Sequence, residues 1–168
     1  LHRYLEEGRL DDESLEQIDP LLRSIAADLR SGGASEPAEQ LGDIVHAFGL
    51  VSVQIDVDGS LPDDVHVAAA FLQIIREAST NATKHAQAHQ VQVRLWQEVS
   101  DGGAIAHMTV SNDGAPAPVS YREGTGIPGM RHVAQNLGGS LEVHAAPPFT
   151  LAVSIPLNSN ATVQRRSS

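Results

Sequence analysis

The chain has 168 residues, 41% of them hydrophobic, and 21 acidic against 11 basic side chains, for a formal net charge of −10. That apolar share supports one sizeable core, and the length fits one domain with a short appendage. The acidity argues against general nucleic-acid binding, which needs a basic face, and otherwise serves solubility. With no cysteine, neither a disulfide nor a thiolate metal site is available. No stretch approaches the roughly 20 apolar residues of a membrane span, and no signal peptide is visible. The first residue is Leu1 and not methionine, so the expectation is a fragment or processed product, soluble and cytoplasmic.

Residues 1–33 read as helical and charged. Leu15, Ile18, Leu22, Ile25 and Leu29 recur at spacings of three and four, as in a coiled-coil seam. An ordinary amphipathic helix lying on its own domain fits the same spacing. Asp19-Pro20 interrupts the pattern, since proline disfavours helix at the residue before it, and Asp19 can cap a new helix with Pro20 at its first position. Ser31-Gly32-Gly33 then stops it. Residues 36–48 predict a helix closed by Gly49. LVSVQIDVD, residues 50–58, alternates and predicts a strand. A helix over 63–86 follows, opened by Asp63 or Asp64 after Pro62. HQVQVRLWQEV and AIAHMTVSN alternate again, with Asp101-Gly102-Gly103 as the turn between them. After the loop DGAPAPVSYREGTG comes a helix from Ile127 to Leu137, ended by Gly138-Gly139. SLEVHAA and FTLAVSIPL predict two more strands with Pro147-Pro148 at their turn, and the polar tail 158–168 is expected to be disordered. The sum is one mixed, largely antiparallel sheet of about five strands with helices on one face, a two-layer α/β sandwich.

The stretch REASTNATKHAQA, residues 76–88, carries more polar function than a packing helix requires. Glu77, Asn81 and His85 stand at i, i+4 and i+8 on one face, with Thr80 and Lys84, the chain's only lysine, beside them. Phe71, Leu72, Ile75, Ala78, Ala82 and Ala86 fall on or near the other side and can pack on a sheet. A carboxylate, an amide, an ammonium and an imidazole presented together suit a magnesium triphosphate. The amide oxygen is a hard ligand, the ammonium neutralises phosphate, and the carboxylate can orient or deprotonate a water. A solvated face of mixed charge is the plain alternative. Downstream, Gly124-Thr125-Gly126-Ile127-Pro128-Gly129 matches GxGxxG. It is weak as a dinucleotide fingerprint, because polar SYRE precedes it and no strand does. It does open a helix, where backbone amides hold phosphate and glycines allow close approach. His85 and His89 have a zinc-like spacing that fails once His89 begins a strand. His46, His66, His107, His132 and His144 read as surface or boundary residues, and Trp96 as core.

These two stretches, REASTNATKHAQA and GTGIPGMRHVAQNLGGSLEV, resemble the N box and the G2 box of sensor histidine kinase ATP-binding catalytic domains. The similar subfamily is the one that partners NarL-type response regulators. It belongs to the GHKL superfamily with DNA gyrase B, MutL and the Hsp90 chaperones, and has the Bergerat fold. The resemblance covers about residues 34–157 and implies ATP and Mg2+ as cofactors. It makes Asn81 the Mg2+ ligand and Glu77 the general base or water-orienting carboxylate. Lys84 and His85 would face the phosphates. Gly124, Thr125, Gly126, Ile127, Gly129 and Met130 would line them, and residues 115–125 would form the lid. The family's DxGxG box aligns with Asn112-Asp113-Gly114-Ala115-Pro116. Asn112 then stands where an aspartate accepts from the adenine amino group, or Asp113 serves after a one-residue shift, with Gly114 behind them. Alternation along AHMTVSN favours Asn112. Pro116 replaces the second glycine, and no phenylalanine-bearing F box is evident. No histidine sits in the family's ELHDxxG phosphoacceptor context; His2, in LHRYLEEG, is a poor match. The resemblance therefore implies a fragment that binds ATP and donates its γ-phosphate to a histidine on a dimerisation stem outside the chain. A homodimer and a response regulator would be its partners, with any membrane contact made by other parts. Residues 1–33 would close that stem. A degenerate regulatory module of the same fold, or an anti-sigma-type serine kinase, are the alternatives.

Overall fold

The computed structural model describes residues 36–115 and 126–158. The heptad-like segment, His2, Pro116, Gly124, Thr125, most of the expected lid and the tail from 159 onward lie outside these residues. Among the described residues, three helices and five strands follow in the order α1 (Pro37–Leu50), β1 (Gln54–Asp58), α2 (Val65–Ala86), β2 (Gln90–Ser100), β3 (Gly103–Asn112), α3 (Gly126–Asn136), β4 (Ser140–His144) and β5 (Thr150–Leu157).

The strands form one sheet in the order β1-β2-β3-β5-β4. β1 pairs with β2 in parallel, joined through α2, and every other pair is antiparallel. The mixed two-layer α/β sandwich expected from the alternation is therefore present. Each strand turns alternate residues toward the helices, as a sheet covered on one side must. Ile55, then Val91, Val93 and Leu95, then Ala106, Met108 and Val110, then Leu151, Val153 and Ile155, and finally Leu141 form that inner surface. Register lines them up across the sheet: Leu95 opposite Met108, Met108 opposite Val153, and Val153 opposite Leu141. α2 contributes Phe71, Leu72, Ile74 and Ile75 to the same core, and α1 contributes Ile44 and Phe48. Each such side chain is worth about 1.5–3 kcal/mol of burial.

α2 starts at Asp64 and not Asp63: the Asp64 carboxylate accepts from the His66 and Val67 amides at 2.9 and 3.1 Å. It ends with Gln87 in the left-handed region (φ 52) and the Ala88 amide donating to the Ala82 carbonyl. Three expectations need correction. Gly49 does not close α1, which runs on through Leu50. LVSVQIDVD is a strand only from Gln54, because Val51 and Ser52 make a turn with Ser52 at φ 63. Trp96 is not core: it lies on the open face of the sheet, 41% exposed, with its ring stacked on His107. Among the described residues no helix is long and apolar enough to cross a membrane.

Candidate functional site

The buried side of α2 consists of apolar residues with Ser79 and Thr83. The opposite stripe leaves Glu77, Thr80, Asn81 and Lys84 half-buried and His85 exposed. For two of these four half-buried side chains, Glu77 and Asn81, the neighbour is α3. Gly126, the first residue of α3, lies directly against α2. A Cβ built on it would stand 2.8 Å from Glu77 Oε1, 2.9 Å from Asn81 Nδ2 and 3.6 Å from Asn81 Oδ1. The bare backbone at this helix start thus touches the two side chains that the sequence singles out. Ile127 and Met130 turn their side chains into the core, so at the helix start Ile127 can offer only its amide, while the Met130 amide, the fifth of α3, pairs within the helix. Pro128 has no amide to offer, and Gly129 is exposed.

The second end of the site is the close of β3. Asn112 continues the inward series Ala106, Met108, Val110 and pairs with Val91, so it stands on the helix side of the sheet. Its Oδ1 accepts from the Gly114 amide at 2.9 Å. Asp113 is exposed, and its Oδ1 accepts from both the His89 and Gln90 amides at 2.9 Å. Gly114 leaves no room for a side chain, since a Cβ there would fall 2.5 Å from the Ala86 Cβ and carbonyl oxygen. The next residue, Ala115, donates its amide to that carbonyl at 2.8 Å. Gly126 meets α2 at residues 77–81 and Gly114 meets it at residue 86. At 1.5 Å per residue the two glycines contact the helix roughly 8–13 Å apart along its axis. That separation suits a nucleotide better than a lone phosphate.

The donor set fits magnesium bound through phosphate. Among the described residues no three His, Cys, Asp or Glu side chains converge into a metal cage. One amide oxygen beside one carboxylate, against a backbone bare of side chain, matches an ion that keeps its waters and phosphate oxygens. The sequence offered no sign of two further features. One is the Asp113 clamp on the start of β2. The other is Ser79, whose hydroxyl is fully buried and has no hydrogen-bond partner among the described residues.

Comparison with known proteins agrees with this arrangement. The family described as histidine kinase-, DNA gyrase B-, and HSP90-like ATPase matches residues 66–159. Among similar proteins, the sensor histidine kinase MctS of Rhizobium johnstonii is 30% identical over 125 residues, covering 70% of this chain and 26% of that protein. The sensor histidine kinase DesK of Bacillus subtilis is 36% identical over 90 residues, covering 51% of this chain and 22% of DesK. The chain therefore spans about a quarter of the length of these relatives. The blue-light activated histidine kinase of Erythrobacter litoralis shares the fold with a TM-score of 0.60 at 23% identity, over 88% of this chain and 55% of that one. The ATP-binding domain of PrrB from Mycobacterium tuberculosis does so with a TM-score of 0.54 at 19% identity, over 69% of this chain and 90% of that domain. With the family matched across more than half its length, and with the two helices and the sheet arranged as described, the chain belongs to the histidine kinase-, DNA gyrase B- and HSP90-like ATPases.

Proposed function

We propose that this domain binds ATP with Mg2+ along α2 and presents the γ-phosphate to a histidine on a dimeric helical stem. From there the phosphate passes to an aspartate of a NarL-type response regulator. Residues 34–157 form the catalytic unit, and residues 1–33 are the end of the stem and its linker. The protein works in the cytoplasm, with any membrane anchoring supplied by parts outside this chain. The juxtaposition of Gly126 with Glu77 and Asn81 carries this reading, because it brings a helix start, an amide and a carboxylate to one point.

Bound magnesium supplies charge neutralisation on the triphosphate. The chain's own residues position and orient. The Asn81 amide oxygen holds the metal, and Glu77, next to it, orients a water or takes a proton. Lys84 and His85, one turn further along α2, compensate phosphate charge. The amides of Gly126, Ile127 and Gly129, together with Gly124 and Thr125, receive the phosphate oxygens at the helix start, with Met130 packed behind them. Asn112 accepts from the adenine amino group through its side-chain oxygen, without the charge an aspartate would add. Catalysis on this scheme is positioning, not covalent chemistry.

Titration calorimetry with Mg2+-ATP and Mg2+-ADP tests the first step. Binding should also raise the thermal midpoint, by an amount equivalent to about 2.7 kcal/mol at a hundredfold excess over Kd. No heat and no thermal shift at millimolar nucleotide would remove the proposal. Mixing the domain with a stem that carries the phosphoacceptor tests the second step. Label should appear on histidine and vanish in Asn81→Asp. Binding without label would leave a regulatory module, and label on a partner's serine would indicate the anti-sigma type.

A further inference from the structure

We infer that Asp113 is a positioning residue. Its carboxylate clamps the loop carrying Asn112 onto the junction between α2 and β2, and so sets the base-reading end of the site relative to Glu77 and Asn81. The inference rests on the nucleotide reading above and assigns Asp113 a different task from contacting adenine.

Four hydrogen bonds and one close contact define the clamp. The Asp113 Oδ1 accepts from two successive amides, His89 and Gln90, and the Asp113 amide donates to the Gln90 carbonyl at 3.1 Å. An oxygen shared by two amides has little capacity left for a third donor. The fourth bond runs from the Ala115 amide to the Ala86 carbonyl, in the last turn of α2, where carbonyls lack partners within the helix. Between these attachments Gly114 packs on Ala86 without space for a Cβ. The junction is itself anchored to the sheet edge, since the His89 carbonyl accepts from the Gln54 amide at 2.8 Å. Asn112, one residue before the clamp, is thereby fixed at the end of β3. Its helix-side position then depends on where α2 ends. α2 also bears Glu77 and Asn81, so Asp113 couples the two ends of the site through one rigid helix. A carboxylate suits this task because charged acceptors bind amides more strongly. An asparagine oxygen can accept the same two bonds without charge.

Calorimetry of the wild-type chain, Asp113→Ala, Asp113→Asn and Asn112→Ala with Mg2+-ADP and Mg2+-IDP tests the assignment. Hypoxanthine lacks the exocyclic amino group of adenine. The isotope-detected exchange rates of the His89 and Gln90 amides are followed in parallel. Asp113→Ala should weaken Mg2+-ADP binding about tenfold and speed exchange at both amides, whereas Asp113→Asn should stay within about threefold of wild type in each readout. Asn112→Ala should chiefly erase the preference for ADP over IDP. Wild-type affinity in Asp113→Ala would overturn the inference while leaving nucleotide binding intact. Loss of ADP preference in Asp113→Asn with unchanged amide exchange would overturn it as well, because the carboxylate would then be reading the base. A wild-type chain that binds neither diphosphate would overturn the nucleotide reading and this assignment together.

Discussion

On the helix side of the sheet and at the junction between α2 and β2, the polar groups that matter are tied to backbone or wedged against it. Asp113 holds two amides, Asn112 one, and Gly126 abuts Glu77 and Asn81. On the open side, the polar side chains hold mainly one another. The Trp96 and His107 rings stack with centroids 5.2 Å apart, and His107 Nδ1 meets Ser154 Oγ at 2.9 Å while Nε2 faces Glu98 at 3.5 Å. Arg94 approaches Asp58 at 3.5 Å with both side chains more than two-thirds exposed. The contrast is one of mechanism. A side chain bonded to or wedged against backbone meets a group that cannot swing away, whereas exposed side-chain pairs lose most of their attraction to solvent and to ordering entropy. Substitutions on the two sides should therefore differ in size and in what they disturb.

The largest effect belongs to the shared core. Phe71 is 1% exposed at the centre of α2, and Phe71→Ala should cost about 3–5 kcal/mol in urea denaturation. A loss below about 1 kcal/mol would show that the α2–sheet interface is not the core. Next come the two site glycines, which separate folding from function. At Gly114 the obstacles to a Cβ include the Ala86 carbonyl, which cannot swing away; at Gly126 they are the ends of the Glu77 and Asn81 side chains, which can. Gly114→Ala should destabilise by about 1–3 kcal/mol, while Gly126→Ala should change stability by less than about 1 kcal/mol. Gly126→Ala should instead weaken Mg2+-ADP at least about tenfold, because it displaces the metal and water ligands. Equal stability losses in the two variants would erase the distinction.

Much of this side of the molecule was legible beforehand, and the reasons are physical. Period-two alternation marks β1, β2 and β3, and spacings of three and four mark α2 with its polar stripe, because burial on one face selects residues directly. Parity alone favours Asn112 over Asp113, and the inward series Ala106, Met108, Val110 continues to it. Trp96 reads as core, yet it stands one residue out of step with Val91, Val93 and Leu95, which puts it on the open face. α1 overran Gly49 because a glycine marks a helix end only when the chain needs a positive φ there, and here it does not. The Asp113 clamp and the Gly114–Ala86 contact were invisible because they join residues more than 20 apart through backbone atoms, which every residue type shares.

The smallest effects lie on the open side. A double-mutant cycle on Trp96 and His107 should give a coupling of about 0.5–1 kcal/mol, the range of a stacked ring pair in partial contact with water. A value near that of the core substitutions would mean that this face is covered in the intact protein. Asp56 should contribute least and reveal itself only through pH. Hydrogen bonds from the side-chain amides of Gln90, at 2.6 Å, and Gln54, at 2.8 Å, hold its carboxyl below the ordinary value of 3.8. A carboxyl lowered on folding adds stability above its unfolded pKa and loses it as pH falls through the folded one. The gap in urea midpoint between wild type and Asp56→Asn should therefore be open at pH 7 and close on acidification below about 3.8. A gap that stays constant through that range would mean that the two glutamines pack beside Asp56 without stabilising its charge.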